Sequence, residues 1–433
     1  MKKQGKNNMS RRDFVKASAA IGAAAILSGK EKVFAAGSDT IRIGLVGCGG
    51  RGTGAVKDCI QSSEGVELIA LADIFDEKVQ SALDTFKKEV PADKMKVTPE
   101  NCFTGFDAYK KLIATDVDLV LFATPPHFRP MHVAAAVEAG KQIFMEKPVA
   151  VDPVGVRSII ASSELAEKKG LGVLAGTHHR HQNHYRETIK RIHRGDIGEI
   201  VAGQCYFLIH NTPWLGGHVK ERQPQWSDME YQCRTWYWYT WLSGDHNVEQ
   251  HVHNHDIINW AIGTHPVKCV GTGGRIARTG PEYGNIYDHF SVEYEYPNDV
   301  RVQSMCRQVD GCTNIIAERV IGTKGIAYTD ESVGMIKGQN PYKYDGESNN
   351  PYVTEHADLI ASIRNGQPIN EGRQVAESTL TAIMGRMSAY TGRAISWDWA
   401  MNASKLDLSP PAYSFDIDLP VRPVAIPGIT KLI

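Results

Sequence analysis

The sequence lacks an excess of charge of either sign. Its 433 residues include 48 Lys and Arg against 49 Asp and Glu, so the formal net charge is −1. The basic residues are scattered along the chain and form no blocks, which argues against binding to nucleic acid or to an anionic membrane surface. We therefore expect no nucleic-acid partner, and a small neutral molecule as the ligand.

Paired cysteine motifs are also missing. The eight cysteines include no Cys-x-x-Cys pair and are too sparse for a small disulfide-linked domain, which argues against a zinc ribbon and a disulfide scaffold. We expect buried free thiols and no metal. The alternative is a metal bound by imidazoles. Its candidates are the histidines at 178, 179, 181, 184, 251, 253 and 255.

The longest apolar run near the start is too short to cross a membrane. Ser10-Arg11-Arg12-Asp13-Phe14 is followed by weakly apolar residues 17–27 and by Phe34-Ala35-Ala36, which together predict a twin-arginine signal peptide over 1–36. A run of about 11 residues is well short of the ~20 that span a bilayer, and no cysteine follows it. We expect the twin-arginine export machinery as a partner, a periplasmic location and no stable membrane anchor.

A dinucleotide-binding pattern follows the first predicted strand, at 41–46. Gly47-Cys48-Gly49-Gly50-Arg51-Gly52 is Gly-x-Gly-x-x-Gly between a strand and a helix-compatible stretch. In this pattern Gly47 permits the tight turn, Gly49 lets the backbone approach a pyrophosphate, and Gly52 allows close packing of helix on strand. A second strand, at 66–72, leads to Asp73, where a carboxylate binds ribose hydroxyls and repels a 2′-phosphate. This favours NAD over NADP.

The next segments continue a strand–helix–strand order. Residues 118–123 and 142–145 are apolar runs typical of buried parallel strands, with an Ala-rich helix over 131–139 between them. This predicts an α/β chain that begins with a doubly wound, parallel Rossmann sheet. Since single cores stop growing near ~250 to 300 residues, we expect two domains. They are an NAD-binding domain over 39–172 and a substrate-binding and oligomerisation α+β domain over 173–433.

Three motifs make the chain similar to the glucose-fructose oxidoreductase, inositol dehydrogenase and MocA family. They are the glycine pattern, Ala123-Thr124-Pro125-Pro126-His127 with Glu138-Ala139-Gly140-Lys141, and Glu146-Lys147-Pro148. The resemblance runs over nearly all of the mature chain. It implies an open, mostly antiparallel sheet in the second domain and a homo-oligomer that forms through this sheet. Two positions depart from the family, with Pro126 where Asn is usual and Arg129 where His is common.

The pattern and the resemblance together give a cofactor site. Its predicted members are Gly47, Gly49, Gly50, Arg51, Gly52, Asp73, Thr124, Pro125, His127, Glu146 and Lys147. Because Pro126 replaces the usual Asn, we expect no side-chain contact from position 126 to the cofactor ribose.

The resemblance also implies the catalytic residues. Hydride transfer from a carbinol needs a group that takes the hydroxyl proton and a dry pocket beside the nicotinamide. Lys147 is one candidate, since a positively charged ring beside an amine favours loss of its proton. The family's catalytic His and the acid four residues before it fall on His253 and Glu249, with His251 as a rival. On one helix, positions 249 and 253 share a face, so the carboxylate would orient the imidazole.

An aromatic segment, Arg234 to Trp241, precedes these residues. Aromatic rings either stack on the apolar faces of sugar rings or pack in a core, and the sequence leaves both alternatives open. If the segment is a strand, Trp236 and Trp238 lie on the same face. The predicted substrate-binding residues are His179, Arg180, Arg234, Trp236, Tyr237 and His251.

The sequence thus predicts an NAD-dependent oxidoreductase that acts on a secondary hydroxyl of a sugar or glycoside. Because no free NAD pool exists outside the cytoplasm, we expect a tightly bound cofactor that is recycled on the enzyme. One alternative is a redox-neutral, NAD-dependent glycosidase that works by oxidation, elimination, hydration and re-reduction. Another is a non-catalytic binding protein that retains a dinucleotide.

Overall fold

The computed structural model describes residues 40–210 and 213–433. The predicted signal peptide, with its twin arginines and its cleavage site, lies outside the described residues. Residues 41–433 form one compact unit that contains two sheets.

The first sheet has six strands in the order β3-β2-β1-β4-β5-β6, and all neighbouring strands are parallel. They are β1 (Ile41–Val46), β2 (Val66–Asp73), β3 (Cys102–Thr104), β4 (Leu119–Phe122), β5 (Gln142–Met145) and β6 (Val173–Ala175). Every residue of β4 and β5 is buried, because helices cover both faces of such a sheet. The predicted Rossmann sheet is confirmed. It ends at Ala175, whereas the predicted domain boundary was at 172.

Five helices accompany these strands: α1 (Gly50–Ser62), α2 (Asp76–Glu89), α3 (Ala108–Ile113), α4 (Arg129–Glu138) and α5 (Pro153–Lys169). Their ends follow local rules. The Asp152 side chain accepts a hydrogen bond from the Gly155 backbone N–H, Pro153 occupies the first turn, and Gly170 ends α5 with φ 67°, as expected for a capped helix.

The second sheet has nine strands in the order β14-β13-β12-β11-β7-β10-β9-β8-β15. They are β7 (Ile200–Ile209), β8 (Lys268–Gly274), β9 (His289–Glu295), β10 (Arg301–Gln308), β11 (Ile315–Gly322), β12 (Gly325–Asp330), β13 (Gly334–Gly338), β14 (Tyr342–Lys343) and β15 (Ile395–Ser396). Strands β7 and β10 pair in parallel and the other neighbours pair antiparallel. The predicted open, mostly antiparallel sheet is therefore confirmed.

The remaining helices lie between and after these strands. They are α6 (Asn183–His193), α7 (Pro213–Gly216), α8 (Asp228–Arg234), α9 (Thr240–Ser243), α10 (His246–Glu249), α11 (Val252–Ile262), α12 (Pro351–Arg364) and α13 (Gly372–Thr391). Helix α13 is buried along most of its length and packs against α5, α11 and β8, while α12 packs against α1. These two helices therefore join the second sheet to the first. In the described part of the chain, no helix is long and apolar enough to cross a membrane.

The aromatic segment is not a strand. It runs through the end of α8, a single 3₁₀ turn at Trp236–Trp238 and helix α9. Tyr237 and Trp238 are fully buried, so of the two alternatives for the aromatic segment, packing in the core applies to these two rings. The shared face expected of Trp236 and Trp238 in a strand does not apply, because these residues form a 3₁₀ turn.

We predict that Gly52→Ala destabilises the fold while Gly54→Ala, on the same helix, does not. A Cβ at position 52 would lie 2.0 Å from the Gly47 carbonyl oxygen, whereas the nearest atom to one at position 54 is the Arg51 guanidinium carbon at 3.5 Å. Forcing atoms into packed space costs about 1–3 kcal/mol, and Gly→Ala in an open helix position gains about 0.5–1 kcal/mol. Thermal unfolding of both variants tests this. Equal Tm values would contradict it.

Candidate active site

A cavity of about 740 Å³ opens at the carboxyl ends of the first sheet's strands. Residues after β1, β2, β4 and β5 form one wall, and residues of α10 and α11 in the second domain form the opposite wall. Ligands of open α/β sheets bind in the crevice at this edge, and the volume lies within the range of small-molecule and cofactor sites. The cavity is therefore the candidate active site.

The glycine turn at the start of α1 fits a pyrophosphate. Gly47 has φ 101°, and a Cβ there would lie 2.7 Å from the backbone at Ala123 and Thr124. At Gly49 and Gly50 an added Cβ would meet no atom within 4 Å, so the backbone is open towards the cavity. No side chain caps the N-terminus of α1. Its first amides can therefore donate to phosphate oxygens.

Asp73 closes the turn from the end of β2. Its carboxylate accepts hydrogen bonds from the backbone N–H groups of Cys48 at 2.7 Å and Phe75 at 3.0 Å. Burial raises the pKa of Asp73 from its ordinary value. Each carboxylate oxygen keeps a second lone pair, and Asp73 lines the cavity. This geometry suits the adenosine ribose hydroxyls of NAD.

Arg51 and Glu146 form an ion pair across the cavity wall. The Arg51 Nε lies 2.9 Å from Glu146 Oε1, and Arg51 also pairs with Asp58 at 2.8 Å. The guanidinium lies 4.9 Å from the ring centroid of Tyr352, a residue of α12. Arg51 and Glu146, both predicted cofactor residues, line the cavity. The ion pair with Glu146 holds the Arg51 side chain beside the glycine turn.

Lys147 lies at the end of β5 and reaches into the second domain. Its Nζ donates to the Glu249 backbone carbonyl at 2.5 Å and lies 3.4 Å from Glu249 Oε1. The two side chains are 11% and 10% exposed, and both line the cavity with His253. The three predicted catalytic residues therefore lie together.

The prediction that Glu249 and His253 share one helical face is wrong. Helix α10 ends at Glu249 and α11 begins at Val252. In a continuous helix the carbonyl of residue 249 would accept from the N–H of residue 253. Here it accepts from Lys147, and the His253 N–H donates to the Gln250 carbonyl. The Glu249 carboxylate instead accepts from the Gln250 side chain.

His253 lines the cavity beside a second imidazole, His178. Their ring centroids are 4.8 Å apart at an interplanar angle of 70°. Burial is the main cause that holds the pKa of both well below its ordinary value, and the charge of Lys147 adds to it. Both rings are therefore neutral near pH 7 and each carries one nitrogen lone pair that can accept a proton.

Several predicted site residues lie outside the cavity wall. Gly52 packs against the Gly47 carbonyl oxygen, which would lie 2.0 Å from a Cβ added at position 52. His127 is buried behind the wall, where its Nε2 forms a 2.7 Å hydrogen bond with the Tyr413 hydroxyl and burial lowers its pKa to about 4. The cofactor role predicted for His127 is therefore not supported by its position. Thr124 and Pro125 line the cavity as predicted.

Four of the six predicted substrate residues are structural. The His179 ring stacks on Tyr185, Arg180 forms an ion pair with Asp256 at 2.6 Å, and the Tyr237 hydroxyl accepts from Gln308. His251 is fully buried. Its two ring nitrogens bond to Asn254 and Ser304.

His251 also belongs to a cluster. Its ligand atom and those of Cys205 and His255 all lie within 4.8 Å of one another. Because Asn254 and Ser304 occupy both nitrogens of His251 in this arrangement, hydrogen bonding accounts for its burial without a metal.

Arg234 and Trp236 line the cavity, and Arg234 does so at the Asp73 end. Arg234 forms ion pairs with Glu77 and Glu230, and its guanidinium lies 4.0 Å from the Phe75 ring centroid. Since Phe75 and Glu77 lie two and four residues after Asp73, Arg234 is placed to contact the adenosine part of a cofactor. This position favours a contact with the cofactor over the predicted contact with the substrate.

Several residues that line the cavity are absent from the predicted cofactor, substrate and catalytic sets, among them Arg129, His178, Gln250 and Tyr352. His178 is the neighbour of the predicted His179, and the two lie in a 3₁₀ turn, His178–His181, that points their rings in different directions. Gln250 stood within the catalytic motif. Arg129 was noted only as a departure from the family pattern. Tyr352 lies far along the chain from the other cavity residues, and no local sequence pattern marks it.

Sequence comparison matches two profiles of one family. The profile described as "Oxidoreductase family, NAD-binding Rossmann fold" matches residues 41–177, and the "GFO/IDH/MocA C-terminal domain" profile matches 185–328. The profile of the twin-arginine translocation signal matches residues 8–28. The chain therefore has an NAD-binding Rossmann domain and a signal for export.

Curated relatives match over part of the chain. A "Glycosyl hydrolase family 109 protein" of Shewanella pealeana is 27% identical over 216 residues, covering 48% of this chain and 42% of the relative. A "2,7-anhydro-N-acetylneuraminate hydratase" of Escherichia coli is 28% identical, covering 42% and 43%. An "Alpha-N-acetylgalactosaminidase" of Shewanella oneidensis is 26% identical, covering 55% and 52%. The chain spans about half the length of these relatives.

Solved structures show the same fold. An aldose-aldose oxidoreductase from Caulobacter crescentus superposes with a TM-score of 0.64 at 18% identity, covering 82% of this chain and 99% of that one. An oxidoreductase domain protein from Kribbella flavida gives a TM-score of 0.67 at 16% identity, with the same coverage.

We predict that Asp73→Ala lowers the amount of NAD that copurifies with the protein, while Asp76→Ala does not. The first change removes the acceptor of two backbone N–H groups and of the ribose hydroxyls, whereas exposed Asp76 accepts a 3.3 Å hydrogen bond from Thr104. A hydrogen bond to a charged group contributes about 1.5–3 kcal/mol, so we expect at least about tenfold weaker binding. The NAD content per chain, measured after gel filtration, checks this. Equal content in both variants would contradict it.

Proposed function

Since the chain belongs to the GFO/IDH/MocA oxidoreductase family, we propose that it is a periplasmic, NAD-dependent enzyme that oxidises a secondary hydroxyl of a sugar or glycoside. The observation that carries the proposal is the meeting of Lys147, Glu249 and His253 in one cavity, at the carboxyl edge of the Rossmann sheet. The export signal over 8–28 supports the periplasmic location.

Lys147 and His253 divide the handling of the hydroxyl proton. His253 has a neutral imidazole, which takes the proton as the carbinol is oxidised. The Lys147 Nζ donates to the substrate oxygen and stabilises the charge that develops on it. Bound NAD supplies the hydride acceptor at nicotinamide C4. Glu249 holds Lys147 from both its carbonyl and its carboxylate, so the ammonium stays aimed into the cavity.

The adenosine end of the cavity supports a captive cofactor. Arg234 links the second domain to α2 through Glu77, and Lys220 and His218 line the same end. The Phe75 ring stacks on Phe415 with centroids 5.5 Å apart and planes at 9°. Release of a dinucleotide therefore requires these contacts to separate. We propose that the cofactor stays bound and is recycled on the enzyme.

A redox-neutral glycosidase is the second candidate. It is favoured by the names of three relatives, one a glycosyl hydrolase family 109 protein, one an α-N-acetylgalactosaminidase and one a hydratase of an anhydro sugar. In this cycle, oxidation at C3 acidifies the C2–H bond, elimination expels the aglycone from C1, and water addition and re-reduction complete the turnover. The same captive cofactor serves this cycle.

A screen of p-nitrophenyl glycosides tests the proposal. Purified holoprotein, without added NAD, is mixed with the α- and β-glycosides of glucose, galactose and N-acetylgalactosamine. Near-ultraviolet absorbance reports reduction of bound NAD, and visible absorbance reports free nitrophenol. Reduction without nitrophenol supports a dehydrogenase, and catalytic nitrophenol release supports the glycosidase. If holoprotein binds a glycoside but neither signal appears, the chain is a non-catalytic binding protein and the proposal fails.

We predict that Lys147→Met slows reduction of bound NAD by about 10²–10⁴-fold, the usual effect of losing a proton-handling group. Lys57→Met is the matched control, because Lys57 forms an exposed ion pair with Glu89, and such pairs contribute little. Stopped-flow absorbance with the active glycoside measures both rates. A Lys147→Met rate equal to that of the control would overturn the assignment.

A further inference from the structure

The reacting end of the cavity contains more proton-accepting groups than an oxidation needs. Removing one hydroxyl proton requires one base, and His253 already fills that need, with Lys147 as the donor to the substrate oxygen. His178 lies beside them, in the turn after β6, and lines the same cavity. The function proposed above leaves it without a role.

His178 keeps its ring nitrogens available to a ligand. Among residues 40–210 and 213–433, no hydrogen bond to its side chain is formed. Two other histidines of this region each form a hydrogen bond. His181 pairs with Asp358 at 2.7 Å, and His184 bonds to the Asp330 carbonyl at 2.8 Å. Because buried polar groups are normally satisfied, an imidazole that faces a cavity without a protein partner indicates a ligand as its partner.

The ring is held in place by packing. It stacks on Tyr352, with ring centroids 4.4 Å apart and planes at 26°. The Arg51 guanidinium carbon lies 4.9 Å from the centroid of the same Tyr352 ring. On another side His178 meets His253 edge to face. His178 is thus oriented towards the space next to the group on which His253 acts.

We propose that His178 is the base that removes the proton from the carbon adjacent to the newly formed ketone. This inference rests on the proposed oxidation of a glycoside and extends it to the class of reaction that follows. The substrate class is a glycoside with a free hydroxyl at C3 and a hydrogen at C2.

A C3 ketone makes the C2–H bond acidic, and His178 accepts this proton as the C–H electron pair forms a C1=C2 double bond. The C1–O bond breaks, and its electron pair leaves with the aglycone oxygen, which then gains a proton. Adding water across C1=C2 returns a hydroxyl to C1 and a solvent hydrogen to C2.

The surroundings of His178 favour this role. Burial is the main cause that holds its pKa well below the ordinary value, with smaller contributions from His179 and Lys147. The ring is therefore a neutral acceptor near pH 7.

Solvent deuterium at C2 tests the proposal. Holoprotein is incubated in D₂O with the p-nitrophenyl glycoside from the screen that reduces its NAD, and the recovered sugar is examined by NMR. The variants are His178→Gln and His178→Phe, which keeps a ring on Tyr352. The control is His265→Gln, whose ring stacks on Trp397 outside the cavity.

We expect the ratio of C2 deuterium incorporation to NAD reduction to fall by about 10²–10⁴-fold in both His178 variants, and nitrophenol release to fall with it. The control should keep this ratio. Incorporation at the wild-type rate in the two variants, or NAD reduction by wild-type protein with no incorporation at C2, would overturn the role of His178. If wild-type protein reduces NAD with none of the glycosides, the proposed oxidation itself fails.

Discussion

The hydrogen bond from Lys147 to the backbone carbonyl of Glu249 is the interaction on which the site depends. It joins the end of a Rossmann strand to the second domain, so the cofactor wall and the substrate wall are fixed to each other. Through this bond Lys147 occupies the Glu249 carbonyl, which in a continuous helix would accept from the N–H of residue 253. Helix α11 begins only at Val252. That break places His253 against the cavity. One contact therefore positions the amine, the carboxylate and the imidazole.

Buried polar groups stabilise the chain at the start of α10, just before this break. Asp245 precedes α10 with φ 78°, and its carboxylate accepts hydrogen bonds from the backbone N–H groups of His246 and Tyr287 and from the Tyr390 hydroxyl. Burial raises the pKa of Asp245 to about 7. The fully buried Arg386 donates to the Gly244 carbonyl at 2.9 Å. A residue held at positive φ by several partners is typical of functional sites. Here Asp245 sets the direction of α10, which ends at Glu249.

Local patterns predicted the elements that local forces determine. Strands β1 and β5 begin and end as expected, since apolar runs buried on both faces are decisive there, and the glycine turn lies where Gly47 and Gly49 require it. Predictions failed where distant residues decide. The expected helix through Glu249 and His253 is interrupted where the Glu249 carbonyl accepts from Lys147, about a hundred positions away. A 3₁₀ turn places His178 rather than His179 on the cavity wall. Tyr352 reaches the site through the packing of α12 on α1, which no local pattern records.

The central claim is that these residues direct a hydride from a carbinol to a cofactor held within the protein. The most direct measurement uses a p-nitrophenyl glycoside that carries deuterium on the carbon to be oxidised. The reaction is stopped when the near-ultraviolet absorbance of the reduced dinucleotide is at its maximum, before the ketone is reduced again, and the extracted dinucleotide is analysed by mass spectrometry. One deuterium on the nicotinamide ring, with no dinucleotide in the surrounding solution, is the predicted result. Product formed while the bound dinucleotide stays free of deuterium throughout the turnover would contradict the claim.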